Sequence, residues 1–227
     1  MLSYLNDAKL KKEIVEEMKK HRKNDQIVKG TYGKENGMFK GCAVGCAIHS
    51  LNIRKGKDLP YDGHRYFESE LGIPEWLARL NDKIFEGLPG GDNTEFAVDF
   101  LQAIPVGVDL ESIKWKFCSY LLKENIERVL SLKIKDELKE QVVNAIRQVL
   151  VVHETAIKTN EWNESAAARS AESAAESARL AESAAWAARS AESAARSAES
   201  AAESARSAES AYQRYAKELL RLLKEAK

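Results

Sequence analysis

The sequence predicts a mainly α-helical protein, and three observations carry that expectation. Apolar residues recur at three- and four-residue spacing through most of the first 160 positions. Glycine and proline sit at the ends of these periodic runs. The last third is an alanine- and serine-rich tract of high helix propensity. The expected architecture is a helical globular domain over residues 1–160, followed by a long Ala/Ser-rich helix over 161–227. One small hairpin, near residues 30–40, is the only strand-like element expected.

Taken in order, Leu10, Ile14, Val15 and Met18 mark an amphipathic helix from Asn6 to about Lys23, with the basic end KKHRK. The glycine-punctuated stretch KGTYGKENGMFKG cannot hold a long helix and suits turns or a hairpin around Gly33 to Gly37. CAVGCAIHSL reads as a short buried helix starting near Cys42. Gly72 and Pro74 break the next region into two helices, since glycine ends a helix well and proline fits a first turn. Asn93 or Thr94 caps a helix through Ala103. Asp109 caps the next, in which Trp115, Cys118, Leu122 and Val129 share a face. A further helix from Asp136 to about Ile157 turns Leu138, Val142, Ala145, Ile146, Val149 and Leu150 inward.

Composition excludes more than it selects. Lys plus Arg and Asp plus Glu both number 35, so no global field draws the chain toward nucleic acid or an anionic membrane. Three cysteines, Cys42, Cys46 and Cys118, are too few for a disulfide framework and favour a reducing compartment, with cytoplasm the default. The N-terminus lacks a signal-peptide pattern, and no apolar run approaches the roughly 20 residues of a bilayer span.

In the Ala/Ser tract, arginine and glutamate recur three or four apart on one face. Serines and alanines form a second stripe with a period just under 3.6, which implies a mild left-handed supercoil. The helix would extend roughly 95 Å at 1.5 Å per residue. Small residues offer little transfer energy but allow close backbone approach, so the stripe suits tight packing against another helix, in this chain or another. The alternatives are a solvated spacer and, on weaker grounds, an ice-binding face. Leu180, Trp186 and the terminal Tyr212, Tyr215, Leu219, Leu220, Leu222 and Leu223 need a surface to cover them, so the far end is expected to dock.

Chemistry, where the sequence offers any, centres on Cys42. With Cys46 and His49 it falls at i, i+4 and i+7 on one helical face, and His64 is a candidate fourth ligand of a tetrahedral zinc ion. A second reading makes Cys42 a nucleophile at a helix N-terminus with His49 or His64 as base; it resembles papain-like enzymes in that geometry, although their sequence signature is absent. A third makes the segment a packed core helix with Gly45 at a crossing. His21 and His153 stand alone on predicted helices and read as surface or capping residues. ESELGIPEWLARLNDKIF has the outline of a helix-turn-helix, but Arg79 and Lys83 face Glu75, Asp82 and Glu86, a set that repels phosphate.

The segments KGTYGKENGMFKGCAVGCAIHS, ELGIPEWLARLNDKIFEGLP and FLQAIPVGVDL, followed by a Ser-Ala repeat tract, resemble those of uncharacterised proteins encoded by bacteriophages and bacteria. That resemblance implies a two-part design and a phage context and brings no activity with it. The expectation is a non-enzymatic binding or assembly protein that uses the Ala/Ser rod for self-association or for contact with another helical protein. The alternative is a cysteine-dependent enzyme or zinc protein centred on Cys42.

Overall fold

A computed structural model describes residues 1–36, 38–167, 169 and 197–227. The protein is mainly α. Among the described residues no helix is long and apolar enough to cross a membrane. The described residues group into two compact units, Met1–Glu111 with Ser204–Lys227, and Ser112–Glu203. The stretch 112–160, expected within the globular domain, belongs to the second unit.

The first unit begins with a short turn, Ser3–Asn6, pinned to the loop before residue 110. Ser3 N–H donates to Val108 O and its hydroxyl to Pro105 O, at 2.9 and 2.5 Å. Helix α1, Ala8–Lys23, starts on Asp7, whose carboxylate accepts the N–H groups of Lys9 and Leu10. Strands β1, Lys34–Asn36, and β2, Met38–Lys40, pair antiparallel with Lys34 opposite Lys40, which is the expected hairpin. Helix α2, Ala43–Lys55, is apolar nearly all round and lies in the core; Val44, Cys46, Ala47, Ile48 and Leu51 are fully buried.

Helix α3, Arg65–Leu71, ends on Gly72 in the left-handed conformation, and α4, Glu75–Gly87, begins directly after Pro74, as the sequence requires. Helix α5, Asp92–Ala103, starts a residue before the expected caps; Asn93 Oδ1 instead turns back to accept the Gly91 N–H. α1 packs against α5 and α2, and α4 against α5, α2 and α3. The core so formed gathers Ile14, Met18, Phe67, Leu77, Phe85 and Phe100.

The last helix, α8, Ser197–Lys224, ends in this same unit. Leu219 and Leu223 are fully buried, the Tyr212 ring lies against Gly87, and Gln213 donates to Asp92 at 2.8 Å. The apolar end of the chain thus docks on its own N-terminal helices. The expected small-residue stripe between residues 170 and 196, with Leu180 and Trp186, lies outside the described residues.

The second unit holds α6, Glu111–Ser131, from Ser112 onward, and α7, Asp136–Thr159. Asp109 accepts the Glu111 N–H as the expected cap, and α7 closes on Asn160 in the left-handed conformation. Ile113, Phe117, Val143, Val152 and Ala156 are buried, and Lys123 pairs with Glu154 at 2.8 Å.

Candidate metal centre

The site is built where a loop crosses the first turn of α2. Cys42 is the N-cap residue: its own N–H donates to Thr31 O at 2.7 Å, while its sulfur accepts the Gly45 N–H at 3.5 Å. Residues 31–33 therefore run directly over the helix start. They fit only because positions 41 and 45 are glycine, for a Cβ on either would collide with the Tyr32 carbonyl.

That crossing aims Tyr32 at α4. Its hydroxyl donates to Asp82 Oδ2 at 3.1 Å, and His64 Nε2 donates to the same oxygen at 3.1 Å while His64 Nδ1 faces the Asp62 carbonyl. Asp82 Oδ1 is buried and has no hydrogen-bond partner. One turn along α4, Glu86 accepts the Gly30 N–H on both oxygens, at 3.1 and 3.2 Å, and the Lys29 ammonium donates to Leu88 O. Two adjacent loop residues thus bind the loop to the end of α4.

The Cys42 sulfur and one carboxylate oxygen each from Asp82 and Glu86 lie within 4.8 Å of one another. Among the described residues this is the group of three in which His, Cys, Asp or Glu ligand atoms converge. Burial pushes the Cys42 thiol up to about 12; Asp82 and Glu86 push the same way, and only backbone N–H groups oppose them. Tyr32 is likewise held up at about 12 by desolvation and by the Asp82 charge.

The four residues expected to share one ion are not brought together. Cys42 caps α2 and so lies outside the helical register that would align it with Cys46 and His49. The buried Cys46 thiol donates to Gly41 O at 3.3 Å, and burial raises its pKa above the usual thiol range. His49 stacks on Phe39, with ring centroids 3.9 Å apart, and its Nδ1 lies 3.3 Å from His21 Nε2. His64 reaches Asp82 and is not among the groups that converge on Cys42.

His21 corrects the expectation of a surface or capping residue: it is 3% exposed. Gln26 Nε2 donates to Phe39 O, which turns Gln26 Oε1 to accept from His21 Nδ1 at 3.0 Å. His21 Nε2 is then the acceptor for His49 Nδ1–H. His153 has Trp162 beside it at 5.1 Å between ring centroids.

Tyr32, Asp82 and Glu86 carry no sequence motif. The one available signal was two carboxylates at i, i+4 on a helix that otherwise turns Leu77, Ala78, Asn81, Ile84 and Phe85 inward. The chain matches no family model, no curated protein and no solved structure.

Proposed function

We propose that this protein binds a divalent metal ion of the zinc class through Cys42, Asp82 and Glu86. The observation that carries the reading is the buried, unpartnered Asp82 Oδ1 in a cluster where a thiol and two carboxylates converge within 4.8 Å. An unpaired buried carboxylate oxygen is costly, and a cation offsets that cost directly. Sulfur with oxygen suits zinc, and three protein donors leave a tetrahedral ion one position for water. Tyr32 and His64 fix Asp82 from behind, as hydrogen-bonded outer groups do for metal-ligating carboxylates.

The rival nucleophile reading needs a lowered thiol pKa and a base beside the sulfur. Cys42 instead has a raised pKa and two carboxylates as neighbours, with His64 turned to Asp82.

The test is a zinc titration by calorimetry with the full chain, followed by cobalt substitution. A thiolate-to-cobalt charge-transfer band and one bound ion per chain are expected in the wild type and in Cys118→Ser, and both are lost in Cys42→Ser and Asp82→Asn. A wild type that binds neither metal, or a Cys42→Ser variant that binds both as well as wild type, overturns the reading.

A further inference from the structure

The proposed ligand Glu86 is followed by Gly87, and Gly87 is where the C-terminal helix rests. The Tyr212 ring of α8 lies so close that a Cβ on Gly87 would fall well inside its van der Waals surface. Around the same turn Gly30 N–H holds the Glu86 carboxylate, the Lys29 ammonium holds Leu88 O, and Gln213 of α8 holds Asp92 at the start of α5. The position of Glu86 relative to Cys42 is therefore set from two sides, by the 29–32 loop and by α8. Beyond Tyr212, α8 is anchored by Leu219, Leu222 and Leu223, all buried, so its seat on the first unit is apolar and closed.

From this contiguity we infer that docking of the C-terminal helix and metal binding are coupled through the last turn of α4, so that each strengthens the other. The inference rests on the metal reading above. With α8 seated, the turn carrying Glu86 is held and the carboxylate meets the ion already placed. With α8 released, the turn loses its outer support and the ion must itself order it. Linkage makes the effect reciprocal: bound metal holds α8 down by the same factor by which docked α8 raises metal affinity. The metal site thus governs how firmly residues 204–227 of α8 are held within the first unit.

Gly87→Ala is the sharpest probe, because it drives a methyl group into the Tyr212 ring without touching a ligand or the buried leucines. Zinc affinity of the full-length Gly87→Ala protein is expected to fall on the order of tenfold, a usual size for such coupling. Adding Tyr212→Ala removes the collision, so the double variant is expected to bind as Tyr212→Ala alone does. In the reciprocal arm, zinc is expected to slow limited proteolysis within residues 204–227 of the wild type, and to do so less in Gly87→Ala. If wild type binds zinc and Gly87→Ala binds it equally well, or if the double variant binds more weakly than Tyr212→Ala alone, the coupling is wrong while the metal site stands. If wild type binds no metal, both fall together.

Discussion

Replacing Gly45 by alanine tests the construction of the site without touching any of its polar groups. In the interior of an exposed helix that change stabilises by about 1 kcal/mol, because glycine is the poorer helix former. At position 45 the added methyl group would overlap the carbonyl oxygen of Tyr32. The obstacle is backbone, tied on one side by the Cys42 N–H to Thr31 O bond and on the other by the Tyr32 hydroxyl on Asp82. Overpacking against such a neighbour costs about 1–3 kcal/mol or more, and each hydrogen bond broken by its retreat adds about 1 kcal/mol. After the gain in helix propensity the net loss is about 2–4 kcal/mol, a fall in Tm of roughly 5–15 °C for a chain of this size. Urea and thermal unfolding of the purified variant measure it. Gly90→Ala is the control, since nothing lies within 4 Å of a Cβ there, and its stability is expected to stay within about 0.5 kcal/mol of wild type. A Gly45→Ala protein as stable as wild type would refute the crossing of residues 31–33 over α2, and with it the placement of Tyr32 on Asp82.

Three other outcomes are expected. Leu219→Ala and Leu223→Ala each remove a fully buried side chain and are expected to cost about 2–5 kcal/mol, whereas exposed Leu132→Ala costs under about 0.5 kcal/mol; equal unfolding midpoints for all three would place the C-terminal end elsewhere. Burial holds the His21 pKa below its usual value, so as pH falls through about 6.5 the unfolded chain takes up its proton first. The stability present above that pH is therefore lost as pH falls, until the folded-state pKa is passed. Urea midpoints from pH 7.5 down to 5 should fall, and less steeply in His21→Gln. Zinc must displace the Cys42 proton, so its apparent affinity should rise by up to about tenfold per pH unit between pH 6 and 8, with proton release detectable in weakly buffered solution.

What the sequence disclosed and what it withheld divide along a physical line. Local chemistry was legible. Gly72 and Pro74 end one helix and start the next because their backbones permit little else, and Asp109 caps α6 because its carboxylate reaches the Glu111 N–H within two residues. Cys42 was legible as the start of α2 for the same reason. The carboxylates beside Cys42 were not, because Asp82 and Glu86 lie on α4, some forty residues further along the chain, and the groups that hold Asp82 come from two other segments, at Tyr32 and His64. His21 had a signal that its charged surroundings concealed. It continues the spacing of Leu10, Ile14 and Met18 onto the buried face of α1, although Lys20, Arg22 and Lys23 beside it suggest a surface residue.

The electrostatics of the cluster decide which chemistry its geometry can perform. Two unit negative charges within 4.8 Å repel by at least about 3 kcal/mol at an effective dielectric of about 20, and a Cys42 thiolate would face two such charges, on Asp82 and Glu86. The thiol therefore stays protonated, as its raised pKa records, and in that state it neither attacks an electrophile nor draws a proton-accepting histidine to itself. A divalent cation inverts every one of these contributions. With such an ion bound, repulsion among three donors would become attraction to one centre, the thiol proton would be displaced to solvent, and the Asp82 carboxylate would gain a counter-charge. Tyr32 and His64 already occupy Oδ2, which leaves Oδ1 buried without a hydrogen-bond partner. An arrangement that is unfavourable for a nucleophile at each of its charges is favourable for a cation at the same charges.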